Sequence, residues 1–326
     1  MSVIRKLAIG VAALVLGAGQ AAAQDEAFPT KMVRIVVPFT AGGLADTVAR
    51  GLAHELASRW SQSVVVENRP GANTIIAAEY VARSEPDGYT LLMANDPTVS
   101  SNQYLYSKLP YDPVKDFTPV VNVVQTREIL LVSNDFPAGD VQELIALAKA
   151  QPGHLTYGSY GQGSKAHLDA ETFSALAGIK MNHVPYKGVT DVMTALVGGQ
   201  INMAMVGVPP SIPMVKAGKV RLLAVAAPQR IAAFPDTPTF AELGFETMVS
   251  QAWFGLIAPA GTPPAVVAKI AADVQQVMRQ PAFQHRYVTS VGLEPLDQGP
   301  EEFARFLAQD RREYERSIRA VNVKLD

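Results

Sequence analysis

No cysteine occurs anywhere in the chain. Disulfides, thiolate metal sites and a lipid anchor through an N-terminal cysteine are thereby excluded. Blocks of basic residues are also lacking, which argues against a nucleic-acid partner. Apart from the opening segment, no apolar run approaches the roughly 20 residues that cross a bilayer. No internal repeat, low-complexity tract or flexible linker interrupts the pattern. Hydrophobic residues make up 48% and charged residues 18%. These are ordinary globular proportions, so a packed core has to supply the stability that disulfides do not.

The opening residues indicate export. Arg5 and Lys6 precede an apolar run from Leu7 to Ala18, and Ala21-Ala22-Ala23 supplies small residues. That order is expected of a secretory signal peptide cleaved after about Ala23. A membrane anchor is the alternative, but the apolar run is too short to span. Loss of the segment takes the net charge from −2 to −4, because Arg5 and Lys6 leave with no acidic residue. The length that remains suits two domains.

Short runs rich in Val and Ile alternate with longer helical patterns. Strands are expected at Val33 to Val37, Ser63 to Val66 and Tyr89 to Met93, with helices at Leu44 to Trp60 and Ile75 to Ala82. A second series begins near Arg127, with strands at Ile129 to Val132, Leu155 to Tyr157, Met181 to Val184, Ile201 to Met205 and Leu222 to Ala226. Its helices are expected at Val141 to Ala150, Lys165 to Ala177, Thr190 to Val197 and Ser211 to Ala217. Asp140 stands at an N-cap position, with Glu143 three residues on. Helices at Pro264 to Met278 and Glu301 to Ala320 close the chain. The alternation predicts an α/β protein with helices on both faces of mainly parallel sheets. Thr118 to Val124 and Gln251 to Ala258 are the candidate crossover strands between two doubly wound domains. The expected division is 1–23 for the signal peptide, 24–125 with 252–326 for one domain, and 126–251 for the other.

Two glycine-rich loops join a strand to a helix. The first is Pro38-Phe-Thr-Ala-Gly-Gly-Leu-Ala-Asp46. Gly42 and Gly43 let the backbone turn tightly, and the uncovered N–H groups of Ala41 to Gly43, with the positive helix end, form an anion site. An ordinary tight turn would use the same residues. Asp46 is placed to cap N–H groups of its own loop. The second loop is Gly158-Ser-Tyr-Gly-Gln-Gly-Ser164, in which Gly161 and Gly163 expose backbone and Ser159 and Ser164 carry hydroxyls. It matches neither the phosphate-binding P-loop, nor the nucleophile elbow, nor the dinucleotide glycine spacing. One such helix N-terminus in each lobe suits a carboxylate gripped from both sides. His167 and Glu171 share a helix face, and local hydrogen bonding explains the histidine without a metal, since no third ligand stands at a recognised spacing. No Ser/His/Asp or paired-carboxylate spacing signals catalysis, and no cofactor is implied.

Taken with these loops, several further motifs make the chain resemble the substrate-binding receptors of tripartite tricarboxylate transporters, the Bug family of bacterial periplasmic proteins. They are Val36-Val-Pro-Phe-Thr-Ala-Gly-Gly43 with Asp46, Val66-Glu-Asn-Arg-Pro-Gly-Ala72 and Glu85-Pro-Asp-Gly-Tyr-Thr-Leu-Leu92. Leu109 to Phe117, Gly158 to Leu168, His183-Val-Pro-Tyr-Lys-Gly188, Ala217 to Lys219, Pro235 to Thr239 and Ala258 to Pro263 complete the set. The resemblance runs from about Pro29 to the C-terminus. It implies a two-lobed, Venus-flytrap fold of the type II kind, and a small organic acid held between the two loops. Phe39, Ala41, Gly42, Gly43, Ser159, Gly161, Gly163 and Ser164 are the matching positions. It also implies a monomeric receptor that delivers its ligand to membrane transporter subunits or to a sensor. Two positions depart from the pattern. Val206 stands where many relatives carry an acidic residue, which disfavours amino-acid ligands. Arg127 stands where they often have small or apolar residues or proline. It is either a fork for a second ligand carboxylate or a surface residue at a strand start. The expected function is capture of a carboxylated metabolite without covalent chemistry. A secreted hydrolase using the same cleft is the competing reading.

Overall fold

Val33, Ile35 and Val37 are fully buried on one side of the first strand and Val36 on the other, the pattern of a strand covered on both faces. The computed structural model describes residues 28–321, 324 and 325; the expected signal segment lies outside the described residues. The first lobe contains β1 (Val33–Val37), α1 (Leu44–Trp60), β2 (Val64–Asn68), α2 (Ile75–Ala82), β3 (Thr90–Ala94) and the short α3 (Asn102–Leu105). β4 (Phe117–Ser133) then leads into the second lobe. That lobe comprises α4 (Val141–Ala150), β5 (Thr156–Ser159), α5 (Lys165–Ala177), β6 (Asn182–Pro185), α6 (Val189–Val197), β7 (Met203–Gly207), α7 (Val208–Lys216) and β8 (Val220–Val225). β9 (Gln251–Pro259) returns the chain, followed by α8 (Pro264–Met278), α9 (Pro281–Tyr287), β10 (Glu294–Gln298) and α10 (Pro300–Val321).

The strands run β2-β1-β3-β9-β4-β7-β5-β6, with β10 and β8 also paired to β4. β4 is the shared element. It pairs antiparallel with β9 from Phe117 to Arg127, and with β7 from Glu128 to Val132. Two segments foreseen separately, Thr118 to Val124 and Ile129 to Val132, are thus one strand of 17 residues. The polar run Gln125 to Glu128 between them hid the continuity, although Gln125, Thr126 and Glu128 are buried.

Helices cover both faces of each half. α1 presents Val48, Leu52 and Leu56 at fourfold spacing to a core shared with α8 and α9. Each buried leucine contributes roughly 1.5–3 kcal/mol. Tyr157, Phe173 and Phe240 anchor one face of the second lobe, and Ile129, Leu196 and Val206 the other. Asp140 accepts from Glu143 N at 2.8 Å, as a cap should, while the Glu143 carboxylate reaches Gly139 N. The lobes also touch. Leu168 of α5 packs with Leu105 of α3 and with Tyr314 and Ile318 of α10 in one buried cluster.

Candidate functional site

β1 ends at Val37, and the chain turns through Phe39 to Gly43 before α1 begins. Asp46, in the first turn of α1 and only 2% exposed, holds that turn from beneath. Its carboxylate accepts from Gly42 N at 2.9 Å, Asn68 Nδ2 at 2.8 Å and Arg50 Nε at 2.9 Å. Asn68, at the end of β2, also donates to Phe39 O at 3.0 Å. Burial pushes the Asp46 carboxyl upward, yet the bonds from Arg50, Gly42 and Asn68 together hold it below the usual carboxylate range. Asp46 is therefore the support of the loop. Ala41, Gly42 and Gly43 are exposed, and no hydrogen bond among the described residues uses the N–H of Ala41 or Gly43. Phe39 is half-buried, edge-on to Phe254 at 6.2 Å. An open, positively polarised helix end results.

The second loop is built differently. β5 and β6 run parallel, with Tyr157 opposite His183, so Ser159, two residues on, shares their face. Ser159 is fully buried; its hydroxyl donates to Gly161 O at 2.9 Å and meets His183 Nε2 at 2.6 Å. Gly163 N donates to His167 Nδ1 at 3.0 Å, which places the ring proton of a neutral His167 on Nε2. The rings of His167 and His183 stack with centroids 4.0 Å apart, and Tyr157 stacks on His183 at 5.0 Å. Tyr157 donates its phenol to Glu171. Burial, then the neighbouring His167, lowers His183 to about 4; burial also lowers His167. Both imidazoles are neutral at neutral pH. Ser164 caps α5, its hydroxyl accepting from His167 N at 3.4 Å. Gly161 and Gly163 have φ of +135° and +74°, a region that side-chain-bearing residues rarely occupy.

Sequence spacing gave no sign of the Ser159–His183 contact, because a parallel strand pairing creates it. It resembles the nucleophile and base of a hydrolase in distance only. The hydroxyl is inaccessible and tied to Gly161, and among the described residues no carboxylate hydrogen-bonds to His183.

Arg127 and Val206 are held by other partners than the loop amides. The Arg127 guanidinium donates to Gln251 Oε1 at 2.8 Å and lies 3.4 Å from Glu294. With Lys165, Asp169, Asp310 and Glu313 it lines a groove of about 1030 Å³ between α5 and α10. None of Phe39 to Asp46 or Ser159 to Ser164 lines that groove. Glycine-turn geometry and uncommitted amides, the features that suit an anion, lie at the first loop and not in this groove. Val206 is fully buried in the core beneath α6 and α7.

Glu128 was not foreseen. It lies opposite Gly207 in the β4–β7 register, is 1% exposed, and its Oε2 has no hydrogen-bond partner. Burial, with Asp169 adding to it, raises its carboxyl to about 8. Among the described residues no three His, Asp or Glu side chains converge as metal ligands, and no helix is long and apolar enough to cross a membrane.

Residues 48–323 match the family model described as "Tripartite tricarboxylate transporter family receptor". The "UPF0065 protein in gbd 5'region" of Cupriavidus necator is 38% identical over 303 residues, which is 93% of this chain and 91% of that protein. The solved structure of R. palustris Rpa4515 with adipate superposes with a TM-score of 0.83 at 32% identity, covering 91% of this chain and 99% of the other. MatC (Rpa3494) from Rhodopseudomonas palustris, with bound malate, gives 0.78 at 32% identity over 89% and 100%. With its family match spanning most of the chain and its relatives alike along nearly their whole length, the chain belongs to the tripartite tricarboxylate transporter receptors, a family of periplasmic solute-binding proteins.

Proposed function

We propose that this chain is a periplasmic receptor for an aliphatic dicarboxylate, exported by its first 23 residues and closing two lobes around its ligand. The lobes are 24–125 with 252–326, and 126–251. One observation carries the reading: the exposed N–H groups of Ala41 and Gly43 stand uncommitted at the N-terminus of α1, over a loop fixed by Asp46. One ligand carboxylate sits there, and the second loop, already rigid, closes over it from the other lobe. Ligand stabilises closure by touching both lobes at once. Similarity to receptors solved with adipate and with malate supports a dicarboxylate. The family supports delivery to transporter membrane subunits, with a sensor as the other recipient. The chemistry is binding alone.

The test is a thermal-shift panel of mono-, di- and tricarboxylates, followed by calorimetry. A ligand at 100 times its dissociation constant stabilises by about 2.7 kcal/mol. Gly43→Val is the discriminating variant. Gly43 has φ −77°, and an added Cβ would meet nothing closer than Thr40 O at 3.7 Å. The fold therefore accepts valine while the isopropyl group covers the loop amides. Binding is expected to fall at least tenfold; unchanged affinity places the carboxylate elsewhere. Recovery of a chemically altered ligand would instead favour the hydrolase reading.

A further inference from the structure

Where α5 of the second lobe meets the first lobe, four carboxyl groups are buried around a single ammonium. Asp96, just after β3, and Asp310 of α10 belong to the first lobe; Asp169 of α5 and Glu128 of β4 stand on the second-lobe side. All four are at most 5% exposed. Lys165 lies 3.2 Å from Asp169 and 5.0 Å over the Tyr314 ring. Tyr314 donates to Asp96 at 2.7 Å, Trp253 to Asp310 at 3.2 Å, and Ser250 to Asp169. Glu128 Oε2 receives nothing.

One lysine cannot neutralise four carboxylates, and a desolvated, unpaired carboxylate is strongly disfavoured against its protonated form. With the lobes in contact the surplus is carried as protons on the groups that burial raises. Parting α5 from α10 would draw Lys165 and Asp169 away from Asp96 and Asp310 and admit water, in which an exposed carboxyl ionises as an ordinary acid.

We propose that lobe closure is coupled to proton uptake by this cluster, so that the receptor holds its ligand more tightly below neutral pH than above it. The inference rests on the two-lobed receptor reading and adds a regulation to it. Burial raises Glu128 to about 8 and Asp310 to about 7, and it raises Asp96 as well. Burial and the neighbouring carboxylates outweigh Lys165 and the hydrogen bonds from Tyr314 and Trp253, which pull these carboxyls down. Lys165 stays charged, held up by Asp169, Asp96 and Asp310 against the pull of burial. Tyr160 and Tyr314 are pushed well above their usual range by burial and these carboxyls, so they stay neutral. Arg311, next to Asp310 in the chain, is a permanent cation. Arg127 is engaged by Gln251 and Glu294, while Glu171 is bonded to Tyr157. Glu313 and Arg316 stand on the groove's α10 side. His167 and His183 titrate on the acidic side, outside the window concerned.

The sign follows from linkage. The closed form binds more protons than the open form between the open and closed pKa values, so raising the pH from 6 to 9 favours opening. For Glu128 alone the ratio of closed to open falls about a hundredfold over that range. Reciprocally, ligand binding near neutral pH takes up protons.

A chain without cysteine allows a clean test on the ligand-free protein. Val114→Cys and Val197→Cys place dyes on exposed positions, one in each lobe. Energy transfer between them should report opening as pH rises from 6 to 9. Glu128→Gln, a neutral and near-isosteric replacement, should flatten the response at least tenfold, and Asp310→Asn should do so independently; circular dichroism checks both folds. A separation constant across the range in the parent protein overturns the proposal, as does an undiminished response in both variants. Failure here is distinct from failure of the receptor reading. A carboxylate bound with pH-independent affinity keeps the receptor and removes the linkage. A pH-driven opening without carboxylate binding does the reverse.

Discussion

Asp46→Asn removes the support of the first loop with almost no change in shape. The carboxylate accepts three hydrogen bonds, from Gly42 N, Asn68 Nδ2 and Arg50 Nε, all between 2.8 and 2.9 Å. An amide keeps one acceptor oxygen and turns an NH₂ toward at least one of these donors. Bonds to a charged acceptor contribute about 1.5–3 kcal/mol each, but the Arg50 side chain is half exposed, so its share is nearer the surface value of about 0–1 kcal/mol. The larger loss is the buried partner of Gly42 N or of Asn68. Together the expected destabilisation is about 2–3 kcal/mol. Urea unfolding at neutral pH should show a lower midpoint at an unchanged slope. Carboxylate affinity should fall with it, because the Ala41 to Gly43 amides lose their fixed geometry. A loss below about 0.5 kcal/mol with full ligand affinity would refute Asp46 as the loop's support.

Acid should loosen the second loop. His183 is held to about 4 in the folded protein against about 6.5 unfolded, so the unfolded state binds more protons between those values. The histidine's contribution is complete above about pH 6.5 and is lost as pH falls toward 4; an NMR titration placing His183 above pH 6 would contradict the stacked, neutral pair. Arg127→Ala should weaken mono- and dicarboxylates equally, by less than about threefold, because its partners are Gln251 and Glu294. A selective tenfold loss for the dicarboxylate, seen by calorimetry, would put the guanidinium in the ligand site.

The helices were readable where both ends carry a chemical stop. α1 starts behind Gly43 and α8 begins with Pro264, and each shows the helical apolar spacing throughout. α7 begins three residues before its expected start, since Pro209 and Pro210 sit in the first turn, where no intrahelical N–H is needed. β10 was missed because Glu294-Pro-Leu-Asp-Gln298 has the composition of a turn. Its pairing to one side of β4 tolerates that proline. The loop glycines and the capping role of Asp46 were legible as local chemistry. Glu128 was not, since its environment depends on the β4–β7 register and on contact between lobes, neither of which is encoded at short range.

The two glycine loops resemble each other in sequence, yet they are unlike in what they leave free. In the second, Ser159 is spent on Gly161 and His183, Gly163 N on His167, and Ser164 on the α5 cap. In the first, one support beneath the turn leaves the amides of Ala41 and Gly43 uncommitted and exposed. An anion meeting the open protein therefore finds the uncommitted amides of Ala41 and Gly43 on the first lobe. On the proposed reading, capture on that lobe precedes closure, and the shape of the second lobe decides which acids allow the lobes to meet. Substitutions at Ala41 to Gly43 should then affect every carboxylate alike. Changes at Tyr160 or at Val208, where α7 begins, should reorder the preference among acids while leaving the anchoring step in place.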